Sequence, residues 1–204
     1  MTHPLNLTRP VAATERNHRR RYWQHQRDAI SVADRALGTE QIATHLEQKL
    51  TQLLTQRQVG TLVIGVYWPI RSEPDLLRLW EKWQDKHQLA LPKVLRPDSP
   101  LRFLRWDRGA SLVREPYGAQ VPQEQEHTTT LAVDPDLLIV PCVAWNIVRG
   151  GVLRLGYGGG FYDRSLGLRP CLSWGVSFDA LEDSSLEPAA HDCLLDAIVT
   201  PQRR

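Results

Sequence analysis

Residues 137–163 read LLIVPCVAWNIVRGGVLRLGYGGGFYD. The stretch begins with an unbroken apolar run, Leu137–Pro141, and ends in four glycines within the five positions Gly156–Gly160. A short run of Leu, Ile and Val is typical of a strand that is buried on both faces, as in a parallel sheet. The residues after the glycines, from Phe161 to Leu166, are predicted to open a helix. The stretch therefore predicts a strand, a glycine-rich connection and a helix, which is the repeating unit of α/β folds.

A second unit of the same kind precedes this stretch. Thr61–Tyr67 is a short apolar run that predicts a buried strand, and Leu89–Val94 predicts another. Between them, Ser72 is a candidate helix cap, Pro74 suits an early helical position, and apolar residues from Leu76 to Trp83 share one helix face. A strand, a helix and a strand in this order predict a parallel βαβ pair.

The rest of the chain extends the same alternation. We predict a charged, exposed helix over Thr14–Ala29 and a second helix that begins with Thr39 as its cap. Two further strands are predicted over Leu172–Phe178 and Ala197–Thr200, while 96–130 is predicted to hold loops and short strands. The expected fold is a single three-layer α/β domain, residues 13–204, with a mostly parallel central sheet flanked by helices. Residues 1–12 are predicted to be a flexible tail.

Composition narrows the class of protein further. The 204 residues are 42% hydrophobic and 24% charged with a formal net charge of +2, which is ordinary for a folded globular domain. Three widely spaced cysteines, Cys142, Cys171 and Cys193, form no metal or disulfide pattern. No apolar run approaches the length of a membrane span. We therefore expect a cytoplasmic protein with no membrane or nucleic-acid partner.

The glycine-rich run has the chemistry of an anion-binding loop. Glycines leave backbone N–H groups uncovered and allow the positive φ angles that point successive amides into one concavity. Arg154 adds a bidentate phosphate donor, and the carboxylate of Asp163 suits a metal ion on a nucleotide. The run matches neither a Walker loop nor the GxGxxG dinucleotide pattern. On these residues alone, a mobile loop or a tight turn stays open.

The order of motifs resembles the 5-formyltetrahydrofolate cyclo-ligase family, also called methenyltetrahydrofolate synthetases. Its hallmark corresponds to Val140–Trp145, Gly151 and Arg154–Arg164, and the likeness covers about residues 16–200. Further similar segments, in chain order, are Arg20–Ser31, Tyr67–Asp75, Leu91–Val94, Glu115–Pro116, His191–Asp196 and Val199–Thr200. The resemblance implies ATP- and Mg²⁺-dependent closure of 5-formyltetrahydrofolate to 5,10-methenyltetrahydrofolate with release of ADP and phosphate. It also implies a monomer.

The same resemblance implies roles for individual residues. Catalytic roles fall to Arg154 and Tyr162, and Mg²⁺ ligation falls to Asp163 and Asp192. The implied ATP contacts are Arg16, Arg20, Arg154, Leu155, Gly156, Tyr157, Gly158, Gly159, Gly160, Phe161 and Tyr162. The implied folate contacts are Trp68, Glu73, Tyr157, Gly158, Gly159, Gly160 and Phe161.

Each role has a structural alternative that the sequence leaves open. The aspartates could cap helices or carry surface charge, and the arginines could lie on a solvated helix face. Trp68 could pack in the core and Glu73 could serve a helix N-terminus. Four positions depart from the family pattern, with Arg16 for Lys, Cys142 for Gly, Asn146 for Asp and Phe161 for Tyr.

Two other functions are weighed against catalysis. The arginines of 16–27, interleaved with Tyr22 and Trp23, could instead bind nucleic acid, which predicts salt-dependent oligonucleotide binding. The chain could also bind folate or nucleotide without turnover.

Overall fold

The computed structural model describes residues 8–124 and 132–203, with side chains from residue 14 onward. The helices are α1 (Thr8–Ala29), α2 (Val32–Arg57), α3 (Leu77–Trp83) and α4 (Phe161–Leu168), with a 3₁₀ turn at Asp179–Leu181. The strands of the main sheet are β1 (Val63–Gly65), β2 (Gln88–Lys93), β3 (Arg102–Arg105), β6 (Leu137–Pro141), β9 (Leu172–Val176) and β10 (Ala197–Val199). Two hairpins, β4 (Leu112–Arg114) with β5 (Gln120–Pro122) and β7 (Ala144–Val148) with β8 (Gly151–Leu155), lie outside it.

The main sheet confirms the predicted α/β fold. Its strand order is β10-β9-β6-β1-β2-β3, and all neighbours are parallel except the antiparallel edge strand β3. The strand run at Leu137–Pro141 is central, with its first four residues buried, as its unbroken apolar sequence predicts. Trp80, Trp83 and Trp174 are buried in the core, as expected.

The connections reverse direction in the middle of the sheet. From β1 the chain passes through α3 to β2 on one side, and from β6 it passes through α4 to β9 on the other. Because such crossovers are right-handed, α3 and α4 lie on opposite faces of the sheet. The reversal also opens a crevice at the carboxyl ends of β1 and β6, where open α/β sheets bind ligands.

The glycine-rich loop does not follow β6 directly, contrary to the order expected from the sequence. The antiparallel hairpin β7–β8 intervenes, with Ala144 paired to Leu155 and Val148 paired to Gly151. The loop therefore connects β8 to α4. The hairpin was missed because its apolar residues resemble a continuation of the buried strand before it.

Helix boundaries are the other corrections. Helix α2 begins seven residues before Thr39, and its cap is Ser31, whose hydroxyl accepts from the Asp34 N–H at 3.1 Å. Gly38 lies inside this helix and does not interrupt it. It lies at a position where a side chain would meet Phe178. Helix α3 begins at Leu77 with no side-chain cap, so Ser72 is not its cap.

The predicted tail overlaps the first helix. Helix α1 begins at Thr8, so residues 8–12 of that tail are helical. Residues 1–7 lie outside the described residues, and the division into a tail and one domain stays a prediction.

Candidate functional site

A cleft of about 810 Å³ lies at the carboxyl ends of β1, β2 and β6. Of the residues that line it, Tyr67 and Trp68 follow β1, Val94 follows β2, and Pro141 ends β6. The cleft therefore lies where the strand order predicts a ligand-binding crevice. Helix α1, the β4–β5 turn and the glycine-rich loop form its other walls. Every site residue inferred from the sequence lines this cleft, namely Arg16, Arg20, Trp68, Glu73, Arg154, Leu155, Gly156, Tyr157, Gly158, Gly159, Gly160, Phe161, Tyr162, Asp163 and Asp192.

One end of the cleft is cationic. Arg20 on α1 donates through Nε to the Gly156 carbonyl at 3.1 Å, which places a guanidinium against the glycine-rich loop. Burial lowers the pKa of Arg20, and the nearby charges of Arg16 and Arg154 lower it further. Arg16 and Arg154 each also keep a buried Nε–H with no partner in the described part of the chain. Crowded guanidiniums with unused donors are suited to a multiply charged anion.

Both aspartates predicted to bind metal lie at this end, and each is paired with an arginine. Asp192 accepts from Arg16 Nη2 at 2.8 Å, and Asp163 accepts from Arg154 Nη2 at 3.1 Å. The other oxygen of Asp163 accepts from the Cys193 backbone N–H at 3.3 Å, which brings the C-terminal segment beside α4. Neither aspartate caps a helix through its side chain.

The donor chemistry fits Mg²⁺, although the protein supplies only part of a coordination shell. Within residues 8–124 and 132–203, no group of three or more His, Cys, Asp and Glu side chains could hold a metal by itself. Mg²⁺ is commonly bound by one or two carboxylates, with phosphates and water as its other ligands. Asp163 and Asp192 match that arrangement, provided that their arginine partners turn to the phosphates.

The glycine-rich loop adopts the conformations that its composition predicts. Gly158 has φ +102° and Gly160 has φ +65°, and Gly160 directly precedes α4. A Cβ on Gly156 would lie 2.5 Å from Arg154 Nη1, and one on Gly158 would lie 3.1 Å from Arg20 Cζ. Glycine suits positions 158 and 160 because of their backbone conformation. At positions 156 and 158 it also allows the close approach of the Arg154 and Arg20 guanidiniums.

The cleft also holds a buried carboxylate, which contacts the glycine-rich loop through Tyr157. Glu73 Oε2 accepts from the Ile70 N–H at 3.0 Å, and Oε1 accepts from the Tyr157 hydroxyl at 2.9 Å. Arg27 Nη1 lies 4.0 Å from Oε1, and Arg27 Nη2 donates to the Tyr157 hydroxyl at 2.6 Å. Burial raises the pKa of Glu73, although the Ile70 N–H and Arg27 partly offset that effect. Burial also raises the pKa of Tyr157.

The remaining predicted residues divide between packing and the cleft wall. Trp68 is half-buried and packs edge-on against Trp106, with 6.0 Å between ring centroids, so it both supports the core and lines the cleft. The Tyr162 ring lies under the Arg154 guanidinium at 5.0 Å. The side chain of Leu155 is buried in a small apolar cluster, which leaves its backbone to face a ligand.

The positions that depart from the family pattern keep a role in packing. Phe161 packs edge-on against Tyr117 and lies under the Arg164 guanidinium. Asn146 donates to the Ser184 and Leu186 carbonyls and does not line the cleft. Burial raises the pKa of the Cys142 thiol to about 12, so that thiol is protonated at neutral pH.

Sequence reasoning missed two residues at the site. Arg27 is almost fully buried and contacts both Glu73 and Tyr157, and Tyr117 lines the cleft from the β4–β5 turn. Arg27 lies in Arg20–Ser31, one of the segments that resemble the family. That resemblance could have identified it, although within this segment a ligand contact was inferred only for Arg20.

Within 16–27, Arg21 is exposed, but the other arginines are paired, buried or in contact with the glycine-rich loop. Arg16 and Arg19 pair with Asp192 and Asp183, and Arg27 points inward to Glu73. This arrangement disfavours the nucleic-acid interpretation, which needs guanidiniums directed to solvent. In the described part of the chain, no helix has the length and apolar character to span a bilayer.

Comparisons with known proteins agree with this architecture. A model of the 5-formyltetrahydrofolate cyclo-ligase family matches residues 12–201. The 5-formyltetrahydrofolate cyclo-ligase of Escherichia coli K12 is 30% identical over 181 residues, which cover 83% of this chain and 94% of that protein. The Mycolicibacterium smegmatis cyclo-ligase is 26% identical over 159 residues, covering 74% and 79%.

A solved structure gives the same result. The Aquifex aeolicus 5,10-methenyltetrahydrofolate synthetase superimposes with a TM-score of 0.74 at 28% identity, covering 92% of this chain and 90% of that one. With a family match that spans nearly the whole sequence, the chain belongs to the 5-formyltetrahydrofolate cyclo-ligase family.

Proposed function

We propose that this enzyme closes 5-formyltetrahydrofolate to 5,10-methenyltetrahydrofolate with Mg-ATP, releasing ADP and phosphate. The observation that best supports this reaction is that one cleft holds three arginines beside the glycine-rich loop and, at Tyr157 of the same loop, a buried carboxylate. Guanidiniums and bare amides suit triphosphate oxygens. An ionised Glu73 can accept hydrogen bonds from the amino-pyrimidine N–H groups of the pterin.

The chemical difficulty is that an N-formyl oxygen is a poor leaving group. In the proposed reaction that oxygen takes the γ-phosphoryl group of ATP, and ADP departs. N10 of the folate then attacks the formyl carbon, the bond from carbon to the phosphorylated oxygen breaks, and N10 loses its proton. No protein nucleophile is needed, so the protein aligns the reactants and stabilises shifting charge.

The side chains divide this work by position. Arg16, Arg20 and Arg154 would bind phosphate oxygens together with the backbone of 155–162, and Tyr162 would hold the Arg154 guanidinium from below. Trp68 and Phe161 would contact the folate rings. Asp163 and Asp192 would hold Mg²⁺, whose charge would disperse that of the phosphates.

The proposal includes an exchange of partners. Because the carboxylates of Asp163 and Asp192 are paired with Arg154 and Arg16, nucleotide binding would move these guanidiniums onto phosphate oxygens and free the carboxylates. We also propose that the protein is cytoplasmic and monomeric. The three free cysteines support the location, because free thiols fit a reducing compartment. Sedimentation velocity would test the monomer.

The test is direct. The protein is incubated with 5-formyltetrahydrofolate, ATP and Mg²⁺, and the absorbance of the methenyl product is followed. Product is expected only when all three are present, and a chelator should abolish it. Folded protein that binds ATP without forming product would contradict the proposed activity and support a ligand-binding member of the family.

A further inference from the structure

Arg27 differs from the other arginines of α1 in where its guanidinium lies. Its side chain is 1% exposed and does not line the cleft, whereas Arg16 and Arg20 do. Its Nη2 donates to the Tyr157 hydroxyl at 2.6 Å and its Nε donates to Ser72 Oγ at 3.2 Å. Burying an arginine is costly unless its donors and charge are used. Two of the three Arg27 guanidinium nitrogens donate hydrogen bonds, while Nη1 has no hydrogen-bond partner in the described part of the chain and lies 4.0 Å from Glu73 Oε1.

The hydrogen-bond direction around Tyr157 is fixed by Arg27. A guanidinium can only donate, so the Tyr157 oxygen accepts from it and must direct its own proton elsewhere. That proton goes to Glu73 Oε1 at 2.9 Å. Arg27 thus orients the hydroxyl that occupies one oxygen of the carboxylate, and it supplies the nearest positive charge to that carboxylate at 4.0 Å.

The same contacts join three separate chain segments. Arg27 is at the end of α1, Ser72 and Glu73 are in the β1–α3 loop, and Tyr157 is in the glycine-rich loop. The guanidiniums of Arg27 and Arg71 lie 5.7 and 5.5 Å from the centroid of the Tyr157 ring. Glycine-rich segments lose much conformational freedom when they are fixed, so such an anchor determines how well the loop is preorganised.

We propose that Arg27 is a positioning residue that acts through Tyr157 and Glu73 to hold the glycine-rich loop and the folate carboxylate in one fixed arrangement. This inference rests on the proposed function, because it assigns Arg27 to the folate end of that reaction. Arg27 touches neither ligand in this assignment. Its removal should therefore weaken folate recognition more than nucleotide binding, which Arg16, Arg20 and Arg154 would retain.

A pH effect accompanies the positioning effect. The titratable and charged groups that act on Glu73 or respond to it are Arg27, Arg71, Tyr67, Tyr157, Tyr162 and Cys142, which lie on α1 and α4, in both loops and at the strand ends. Among them Arg27 is the largest charge effect that lowers the pKa of Glu73. Without it that pKa rises, and folate recognition by the ionised carboxylate should fail at a higher pH.

The experiment compares Arg27→Met and Arg27→Lys with Arg21→Met, a control at an exposed arginine of the same helix. Arg27→Met should raise the KM for 5-formyltetrahydrofolate about 10- to 100-fold with less than about a threefold change in the KM for ATP. The acid limb of kcat/KM for folate should move to higher pH. Arg27→Lys should restore part of both effects, because an ammonium keeps the charge but cannot bridge Ser72 and Tyr157 as a guanidinium does.

Two further measurements separate positioning from general stability. Tyr157→Phe combined with Arg27→Lys should cost less than the sum of the single changes, because the two residues share one interaction. Amide hydrogen exchange of 156–160 should accelerate in Arg27→Lys without a matching change across β6 and β9. Equal loss of ATP and folate affinity, an unmoved acid limb, or unchanged loop exchange would each overturn the assignment.

These readouts also distinguish this inference from the proposed reaction. If the wild-type enzyme forms no methenyl product, the proposed function fails. The exchange measurement and the coupling in thermal stability between Arg27 and Tyr157 still test the anchor. If wild type turns over and Arg27→Met has wild-type folate kinetics, only the role of Arg27 fails.

Discussion

In the part of the cleft that we call the exchangeable end, Arg16 and Arg154 pair with Asp192 and Asp163, whereas at Glu73, which we call the fixed end, Arg27 lies against the carboxylate from outside the cleft. The chemical groups are the same, but their surroundings differ. The Arg16 and Asp192 side chains are 18% and 8% exposed, and those of Arg154 and Asp163 are 6% and 15% exposed, while Arg27 and Glu73 are 1% and 2% exposed. An ion pair with one partly exposed member can exchange partners at lower cost than a pair that is buried on both sides.

The difference shows how one cleft can serve two kinds of ligand. A triphosphate brings its own negative charge and metal ion. The ion pairs at the exchangeable end can open when it binds, so they suit this ligand. A pterin is a rigid aromatic system with N–H donors at fixed positions, so it is best met by a carboxylate whose place is already set. Changes at the exchangeable end should therefore affect chemistry and metal dependence, and changes at the fixed end should affect folate affinity.

The largest effect is expected for Arg154→Met. Arg154 is the arginine that both pairs with Asp163 and lies over Tyr162, so its loss removes charge stabilisation where phosphate is transferred. A fall in kcat of roughly a thousandfold is expected, which is the scale reported for arginines at phosphoryl groups. Arg169→Met is the control, at an exposed arginine outside the cleft. A near-normal kcat for Arg154→Met would show that the exchangeable end takes no part in the chemical step.

Asp163→Asn should give the next largest effect. The amide keeps the size of the side chain but loses the charge that a hard cation needs, so the Mg²⁺ concentration for half-maximal ATP binding should rise about 10- to 100-fold. Nucleotide binding titrated with Mg²⁺ measures this without turnover. Asp107→Asn, at an exposed position, should match wild type. Unchanged Mg²⁺ dependence would take Asp163 out of the site.

Glu73→Gln tests the fixed end and should raise the folate KM about tenfold or more. Burial raises the pKa of Glu73, so ionisation of this carboxyl costs more free energy in the folded protein than in the unfolded chain. The neutral carboxyl of Glu73 therefore contributes to stability below its pKa in the unfolded chain, and that contribution is lost as pH rises through its pKa in the folded protein. Replacing it with a neutral amide should thus not lower the unfolding temperature at pH 7.5. Wild-type kcat/KM for folate should fall as pH drops through that raised pKa. A large loss of stability with intact folate affinity would make Glu73 structural.

Gly158→Ala should have the smallest effect. Its positive φ and the 3.1 Å approach to Arg20 Cζ disfavour a side chain by about 1 kcal/mol, so the KM for ATP should rise about fivefold. Gly60→Ala is the matched control, because a Cβ there meets nothing within 4 Å. Equal behaviour of the two variants would show that the loop adapts freely.

The buried strand at Leu137–Pro141, the glycine-rich loop and the α4 start were predictable because each has a strong local signature. The resemblance to a family also identified distant residues that the structure brings to one cleft. The roles of those residues stay predictions. The hairpin β7–β8 was missed because its apolar residues resemble a continuation of β6. The starts of α2 and α3 were misplaced, and Gly38 inside α2 packs against Phe178, a contact far along the chain that no local pattern shows.

The sequence by itself determined the alternation of strands and helices and the membership of one family, and it predicted an anion-binding chemistry for 154–163. Apolar periodicity and bare glycine amides are local properties, so no tertiary contact is needed to recognise them. Only the tertiary structure decided that the two aspartates are paired with arginines and that Arg27 is buried beside Glu73. Arg16 and Asp192 are 176 residues apart in the chain, and Arg27 and Tyr157 are 130 apart, so only the folded chain decides that these side chains meet and that burial raises the pKa of Glu73.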